Sequence, residues 1–317
     1  MSTPPLPMLH PQPPSAERRL SWRQHRQLRH EPYGLEIATV HVDGREVRSL
    51  STGERTAAPE LVFIPGMGSP GYLAPWARQS AAWTRATILD LPGWHHRRAR
   101  SCAPSLDGVA VATARWLQVT GRTDVVLVGH STGSQSALRV ALLVPERLRG
   151  VVLAGPTFEP GTRTLGRVLR RSPTLVREAP GEVPAVLPSY LRSGGLPLLR
   201  LLLAALPDRP EDVIADVRPP MLVMTGQDDG FAPPDWARRL ATLADAPCVV
   251  LPGAHNSCYP FPLQSDDAIR LAVAGWTADT AATVSLADGS HRGELPLSAA
   301  STYLRPNAAT GSEIERD

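Results

Sequence analysis

Asp124-Val125-Val126-Leu127-Val128-Gly129-His130-Ser131-Thr132-Gly133-Ser134-Gln135-Ser136-Ala137-Leu138-Arg139-Val140-Ala141-Leu142-Leu143 is the stretch that decides the fold. Its start is a short apolar, β-branched run suited to a buried strand. Its end, from Ser134, holds no Gly or Pro and reads as a helix. The Gly129–Gly133 pentapeptide must therefore turn strand into helix within a few residues. A serine on such a turn is projected from the backbone at the positive end of the following helix. Glycines flank it because a Cβ there would strike the neighbouring strand or helix. Ser131 is thus a candidate nucleophile.

Outward from this stretch the same rhythm repeats. Leu61-Val62-Phe63-Ile64, Ala86-Thr87-Ile88-Leu89, Val151-Val152-Leu153, Met221-Leu222-Val223-Met224 and Cys248-Val249-Val250-Leu251 are continuous apolar runs. Such runs suit strands covered on both faces of a parallel sheet. Helix-length segments at 73–84, 106–120, 132–144, 234–245 and 266–279 alternate with them, so the expected class is α/β with a doubly wound, mostly parallel sheet. Ahead of these, 35–42 and 45–50 flank Asp43-Gly44 and read as a hairpin.

One interval breaks the rhythm. Between Leu153 and Met221 the chain is far longer than a usual crossover, with helix-prone pieces at 162–171, 186–193 and 196–206. It is expected to be a helical lid inserted between the sixth and seventh strands. The organisation that follows is a Pro/Arg-rich disordered arm (1–33), a core of 34–156 and 217–280, a lid of 157–216 and a mobile tail (281–317).

Composition narrows the partners. All 33 basic residues are arginine and the net charge is +3, too small to imply nucleic acid. Three cysteines without CxxC spacing suggest neither a disulfide framework nor a structural zinc site, and catalysis by a serine nucleophile would need no metal and no organic cofactor. The longest apolar stretch, Leu196 to Leu206, is interrupted by Pro197 and Arg200 and is too short for membrane insertion. With no signal-peptide pattern, the expectation is a cytoplasmic protein. Oligomeric state is not legible.

A serine hydroxyl needs a positioned base. Of the nine histidines, His10, His25, His30 and His291 fall in the arm and tail, and His41 in the hairpin. His130 lies inside the turn with its ring directed away from the hydroxyl, and His95-His96 read as a loop pair. His255 follows the last strand, at the same carboxyl edge as Ser131, where catalytic groups of open α/β sheets gather. Asp228 and Asp229, after the strand at Met221–Thr225, are both candidates to orient its imidazole.

With the order serine, acid, histidine in place, the sequence resembles the α/β-hydrolase superfamily over residues 35–280, in its serine-hydrolase, carboxylesterase-like branch. That family's acid loop commonly runs G-x-x-D-x-x-x-P. Gly226, Asp229 and Pro233 match it, and so favour Asp229 over Asp228. The resemblance makes Ile64-Pro65-Gly66-Met67-Gly68 the oxyanion loop, with proline where histidine is frequent, and the Met67 and Thr132 amides the donors. Asp90-Leu91-Pro92-Gly93 matches a structural turn of the family. The implied function is hydrolysis of a carboxylic ester through an acyl-enzyme. Carbon–carbon, lactone, amide or thioester cleavage would use the same residues, and a binding protein on the same fold is a further alternative. A serine at the nucleophile position sets the chain apart from the dehalogenase and epoxide-hydrolase branches. Trp94, Tyr190 and Leu199 are expected to line a pocket for a small-molecule substrate with an apolar portion.

Overall fold

The computed structural model describes residues 34–68, 70–94, 100–178 and 195–287. The arm, the His95-His96 pair, the expected helical piece at 186–193 with Tyr190, and the tail from 288 lie outside these. Eight strands form one sheet: β1 (Glu36–Val42), β2 (Arg45–Thr52), β3 (Glu60–Ile64), β4 (Ala86–Leu89), β5 (Val125–His130), β6 (Leu148–Ala154), β7 (Met221–Gly226) and β8 (Cys248–Leu251). Their order is β1-β2-β4-β3-β5-β6-β7-β8. β1 and β2 form the expected hairpin, with Asp43 and Gly44 both at positive φ (50° and 75°) as a tight two-residue turn requires. β2 meets β4 antiparallel, and every pairing from β4 to β8 is parallel.

The apolar runs are continuous because alternate residues serve opposite faces. Val62, Ile64, Val125, Leu127, Val151, Leu153 and Val223 join one core with helices α2 (Leu106–Val119), α3 (Thr132–Leu143) and α7 (Pro234–Leu243). Leu61, Phe63, Val126, Val128, Val152, Leu222 and Met224 join another with α1 (Ala74–Ser80) and α8 (Pro262–Ala287). Trp116 and Trp236 anchor the first core, Trp76 and Trp276 the second. Two buried faces leave each strand end as the place where polar chemistry meets solvent, and β5, between β3 and β6, carries Ser131 there.

Helix α8 runs to Ala287, past the boundary at 280, since no Gly or Pro stands between Gly275 and Gly289 to stop it. The interval between β6 and β7 holds α4 (Leu165–Glu178), α5 (Gly195–Ala205) and α6 (Pro210–Val213). Helix α4 continues through Pro173, past the expected end at 171. A proline inside a helix lacks the N–H for one backbone bond, and the helix tolerates that loss.

The insertion is fastened mostly by arginines. Arg163 grips Glu211 through two bonds of 2.7 and 2.6 Å. Arg171 bonds Glu159 at 2.9 Å and the Gly230 carbonyl. On α3, Arg139 bonds Asp208 at 2.6 Å and Gln135 donates to the Ala205 carbonyl at 3.0 Å. Among the described residues, no helix is long and apolar enough to cross a membrane.

Candidate active site

Ser131 joins β5 to α3 with φ 56° and ψ −127°, a conformation that L side chains seldom adopt. Its own N–H donates to the Ala154 carbonyl at 2.9 Å, and its carbonyl accepts from Ser134 N–H at 2.9 Å. Gly133 is required there: a Cβ would lie 2.2 Å from the Ile64 carbonyl oxygen. The turn is thus pressed between the ends of β3 and β6. Among the described residues no side chain caps α3, so the Thr132 amide, at its start, lacks the intrahelical acceptor that later amides have.

The other two expected residues line up behind the serine, His255 against it and Asp229 against His255. His255 Nε2 lies 2.9 Å from Ser131 Oγ, and His255 Nδ1 lies 2.9 Å from Asp229 Oδ2 and 3.1 Å from Oδ1. Asp229 Oδ1 also accepts from the Phe231 and Ala232 amides, both at 2.8 Å, and Oδ2 from Thr225 Oγ1 at 3.2 Å. Asp229 is buried. Burial alone pushes its carboxyl upward, but the charge and hydrogen bond of His255, with the two amides, outweigh it and hold it below the usual range. Asp228 is exposed, its carboxylate bonded to the Gln227 side chain at 3.1 Å.

The acid and histidine loops are locked to each other. Gln227 N–H donates to the Leu251 carbonyl at 2.8 Å and Asp228 N–H to the Gly253 carbonyl at 3.0 Å. Gly155, just past β6, has φ +54°, and a Cβ there would press within 3.2 to 3.3 Å of His255 and Asp229. Sequence reasoning did not find it, because its role depends on how β6 and β7 bring their ends together.

Above this polar line sits an apolar cluster. Trp94, Leu106 and Phe231 come from the core loops and α2, and Phe158 from the start of the insertion. Val168, Leu201, Ala205 and Leu206 come from the insertion, with Met67, Leu198 and Leu202 packed against them. The Phe231 and His255 ring centroids are 5.3 Å apart, so the cluster adjoins the imidazole. The Trp94 indole N–H is buried with no acceptor among the described residues. Leu199 departs from its expected place: it is 41% exposed. At about 100° per residue, Leu198, Leu201, Leu202 and Ala205 share one side of α5 and Leu199 turns from it. Tyr190 lies outside the described residues. Among the described residues no group of three or more His, Cys, Asp or Glu is placed to hold a metal ion.

The chain is similar to proteins already characterised. Over 234 residues it is 28% identical to the 2-hydroxy-6-oxononadienedioate/2-hydroxy-6-oxononatrienedioate hydrolase of Burkholderia vietnamiensis, covering 62% of this chain and 80% of that protein. Over 132 residues it is 32% identical to the pimeloyl-[acyl-carrier protein] methyl ester esterase of Nitrosomonas europaea, covering 38% of this chain and 42% of that one. Its fold matches the crystal structure of a membrane phospholipase A with a TM-score of 0.63 at 20% identity, over 80% of this chain and 89% of that one. The model of the alpha/beta hydrolase family matches residues 61–298. A match of that extent, on this sheet order, establishes that the chain belongs to the alpha/beta hydrolase family and is a hydrolase.

Proposed function

We propose that the protein is a serine hydrolase that cleaves a carboxylic ester, or a related acyl bond, of a small molecule with an apolar portion. The 2.9 Å contact between His255 Nε2 and Ser131 Oγ carries this reading, because it gives the hydroxyl a base whose far nitrogen is already held by Asp229. In the forward step Ser131 Oγ attacks the carbonyl carbon while His255 Nε2 takes its proton. Asp229 fixes the proton on Nδ1 and stabilises the imidazolium. The carbonyl oxygen gains negative charge and is met by the Met67 and Thr132 N–H groups, each such donor being worth about 2.7–4 kcal/mol in comparable sites. His255 then protonates the leaving alcohol, and water, activated by the same imidazole, releases the acid. The chemistry runs on side chains and backbone amides.

The apolar cluster over Met67 and Trp94 supports an acyl or alcohol pocket, and the insertion at 157–216 is proposed as its lid. A second reading is hydrolysis of a carbon–carbon bond beside a ketone. The hydrolase relative from Burkholderia vietnamiensis favours it, since the similarity spans 80% of that protein. A fluorophosphonate probe tests the serine: labelling of Ser131 in the folded protein is expected, and its absence refutes both readings. A series of p-nitrophenyl esters of increasing chain length, set beside a vinylogous 6-oxo-dienoate, tests the bond. Turnover of the dienoate alone overturns the ester assignment.

A further inference from the structure

Three hydrogen bonds run beneath the site without touching the Ser131 hydroxyl or Asp229. Gly66 N–H donates to Tyr72 Oη at 2.7 Å, Tyr72 Oη lies 2.9 Å from His130 Nδ1, and His130 Nε2 lies 3.1 Å from the His255 carbonyl oxygen. The rings also touch in sequence, edge to face for Tyr72–His130 and tilted for His130–His255, with centroids 5.1 and 5.3 Å apart. Tyr72, His130 and His255 are all buried.

The far end fixes the direction of the chain. A carbonyl only accepts, so His130 carries its proton on Nε2, and in a neutral imidazole Nδ1 is then an acceptor. Tyr72 therefore donates to Nδ1 while accepting from Gly66. An imidazolium at 130 would set a second donor against the tyrosine hydroxyl. Burial, followed by the charge of His255, holds the His130 ring neutral by lowering its pKa to about 3.

The placement is what gives this chain meaning. Gly66 precedes Met67, whose amide is the proposed oxyanion donor, and His255 is the proposed base. They sit after β3 and β8, which are not neighbours in the sheet. His130 sits one residue before Ser131, on the strand between. We propose that Tyr72 and His130 are positioning residues: together they fix the oxyanion loop and the histidine loop relative to the Ser131 turn, so that both hydrogen-bonding groups arrive at the reacting carbonyl in one geometry. This rests on the reading of Ser131, His255 and Asp229 as the catalytic triad.

A buried histidine that merely fills space needs one acceptor and one donor from anywhere. Here both bonds end, directly or through one hydroxyl, on the backbone of the two loops that serve the reaction. Misplacement of reacting groups by about 1 Å costs about a hundredfold in rate.

The test uses the full chain with Tyr72→Phe, His130→Phe and His130→Gln, following the fluorophosphonate labelling rate, ester kcat and KM, and thermal melting. Tyr72→Phe keeps the ring and removes only the relay hydroxyl. It is expected to lower both the labelling rate and kcat by about 10- to 100-fold, with KM changed less than about threefold. His130→Phe is expected to fall at least as far, and His130→Gln, whose amide can still donate to the His255 carbonyl, to recover about tenfold over it. Wild-type labelling and kcat in folded Tyr72→Phe, a loss confined to KM, or no advantage of Gln over Phe at 130 each overturn the relay. If the His130 variants do not fold, Tyr72→Phe decides alone. A wild-type protein that fails to label at Ser131 refutes the triad itself. Labelled wild type with an unaltered Tyr72→Phe refutes only the relay.

Discussion

The carboxyl edge of the sheet and the insertion between β6 and β7 meet at Phe231, yet different forces hold them. At the edge, backbone bonds between strand ends set the positions: Ser131 to Ala154, Gly155 to Met224, Gln227 to Leu251. In the insertion, side chains do it, through arginine–carboxylate pairs and the apolar side of α5. Outside the close approaches at Gly133 and Gly155 and the Tyr72–His130 contacts, those backbone bonds tolerate changes of side chain. Side-chain packing does not. The edge should therefore carry the chemistry and the insertion the selectivity, and substitutions in the two regions should separate kcat from KM.

The sharpest way to break this contrast is at the serine. Ser131→Ala and His255→Ala are each expected to lower ester turnover by at least about 10⁴-fold, and the double variant by little more, since the two act as one unit. Melting temperature should move little in Ser131→Ala, whereas His255→Ala, which leaves the buried Asp229 carboxylate without its partner, should melt lower. Additive losses would mean that the two side chains work separately. Asp229→Asn comes next, with an expected loss in kcat of about 10⁴-fold, because an amide can present the wrong partner to Nδ1 and select the wrong tautomer. Asp228→Asn should stay within about twofold, its carboxylate being exposed. The opposite ranking would assign the acid to the wrong residue.

In the insertion, the largest effect should be on stability. Glu211→Gln leaves Arg163, whose side chain is only 14% exposed, without its carboxylate. Stranding a buried charge in this way costs about 3–5 kcal/mol. Urea unfolding should register that loss while kcat for a short ester stays near wild type. An equal loss of kcat would mean that the insertion also shapes the reacting groups.

Acid should act on the edge. The fold keeps His130 neutral down to about pH 3, whereas an unfolded chain takes up that proton near pH 6.5. Between those values the unfolded state binds the extra proton, so stability falls on acidification. The slope from this residue approaches about 1.4 kcal/mol per pH unit. Urea midpoints from pH 7 to pH 4 should show that slope in the wild type and a shallower one in His130→Phe. Asp229, depressed in the fold, adds to the loss in the same direction at lower pH.

The two regions also differed in how far sequence could read them. Strand runs, the serine turn and the Asp229 and His255 loops were legible because each is local: a run of buried residues followed by a turn. That Asp229 rather than Asp228 lies against His255 was legible only through the G-x-x-D-x-x-x-P spacing. Tyr72 and Gly155 were not, since a lone tyrosine in a loop and a glycine after a strand acquire their roles from strands distant in sequence. His130 was rightly directed away from the hydroxyl, but nothing in the turn itself named Tyr72 or the His255 carbonyl as its partners. In the insertion, the prolines suggested breaks that α4 does not make, and eleven residues of mixed leucine left the phase of α5 open.

That phase supplies the finest test. Leu202 packs against the cluster that contains Met67 and Trp94, whereas Leu199 is exposed on the other side of the same helix. If the insertion sets selectivity, Leu202→Ala should raise KM for long-chain esters by about tenfold, the low end of what one lost apolar contact costs in a pocket. It should leave short-chain esters and kcat within about twofold. Leu199→Ala, which removes a side chain already largely in water, should change neither. Because both variants delete the same atoms from the same helix, any shared loss of helix propensity or stability cancels in the comparison. A chain-length profile that moves equally in the two variants, or in neither, would take the selectivity role away from α5. A shift in Leu202→Ala alone would tie it to the side of the helix that packs on the apolar cluster.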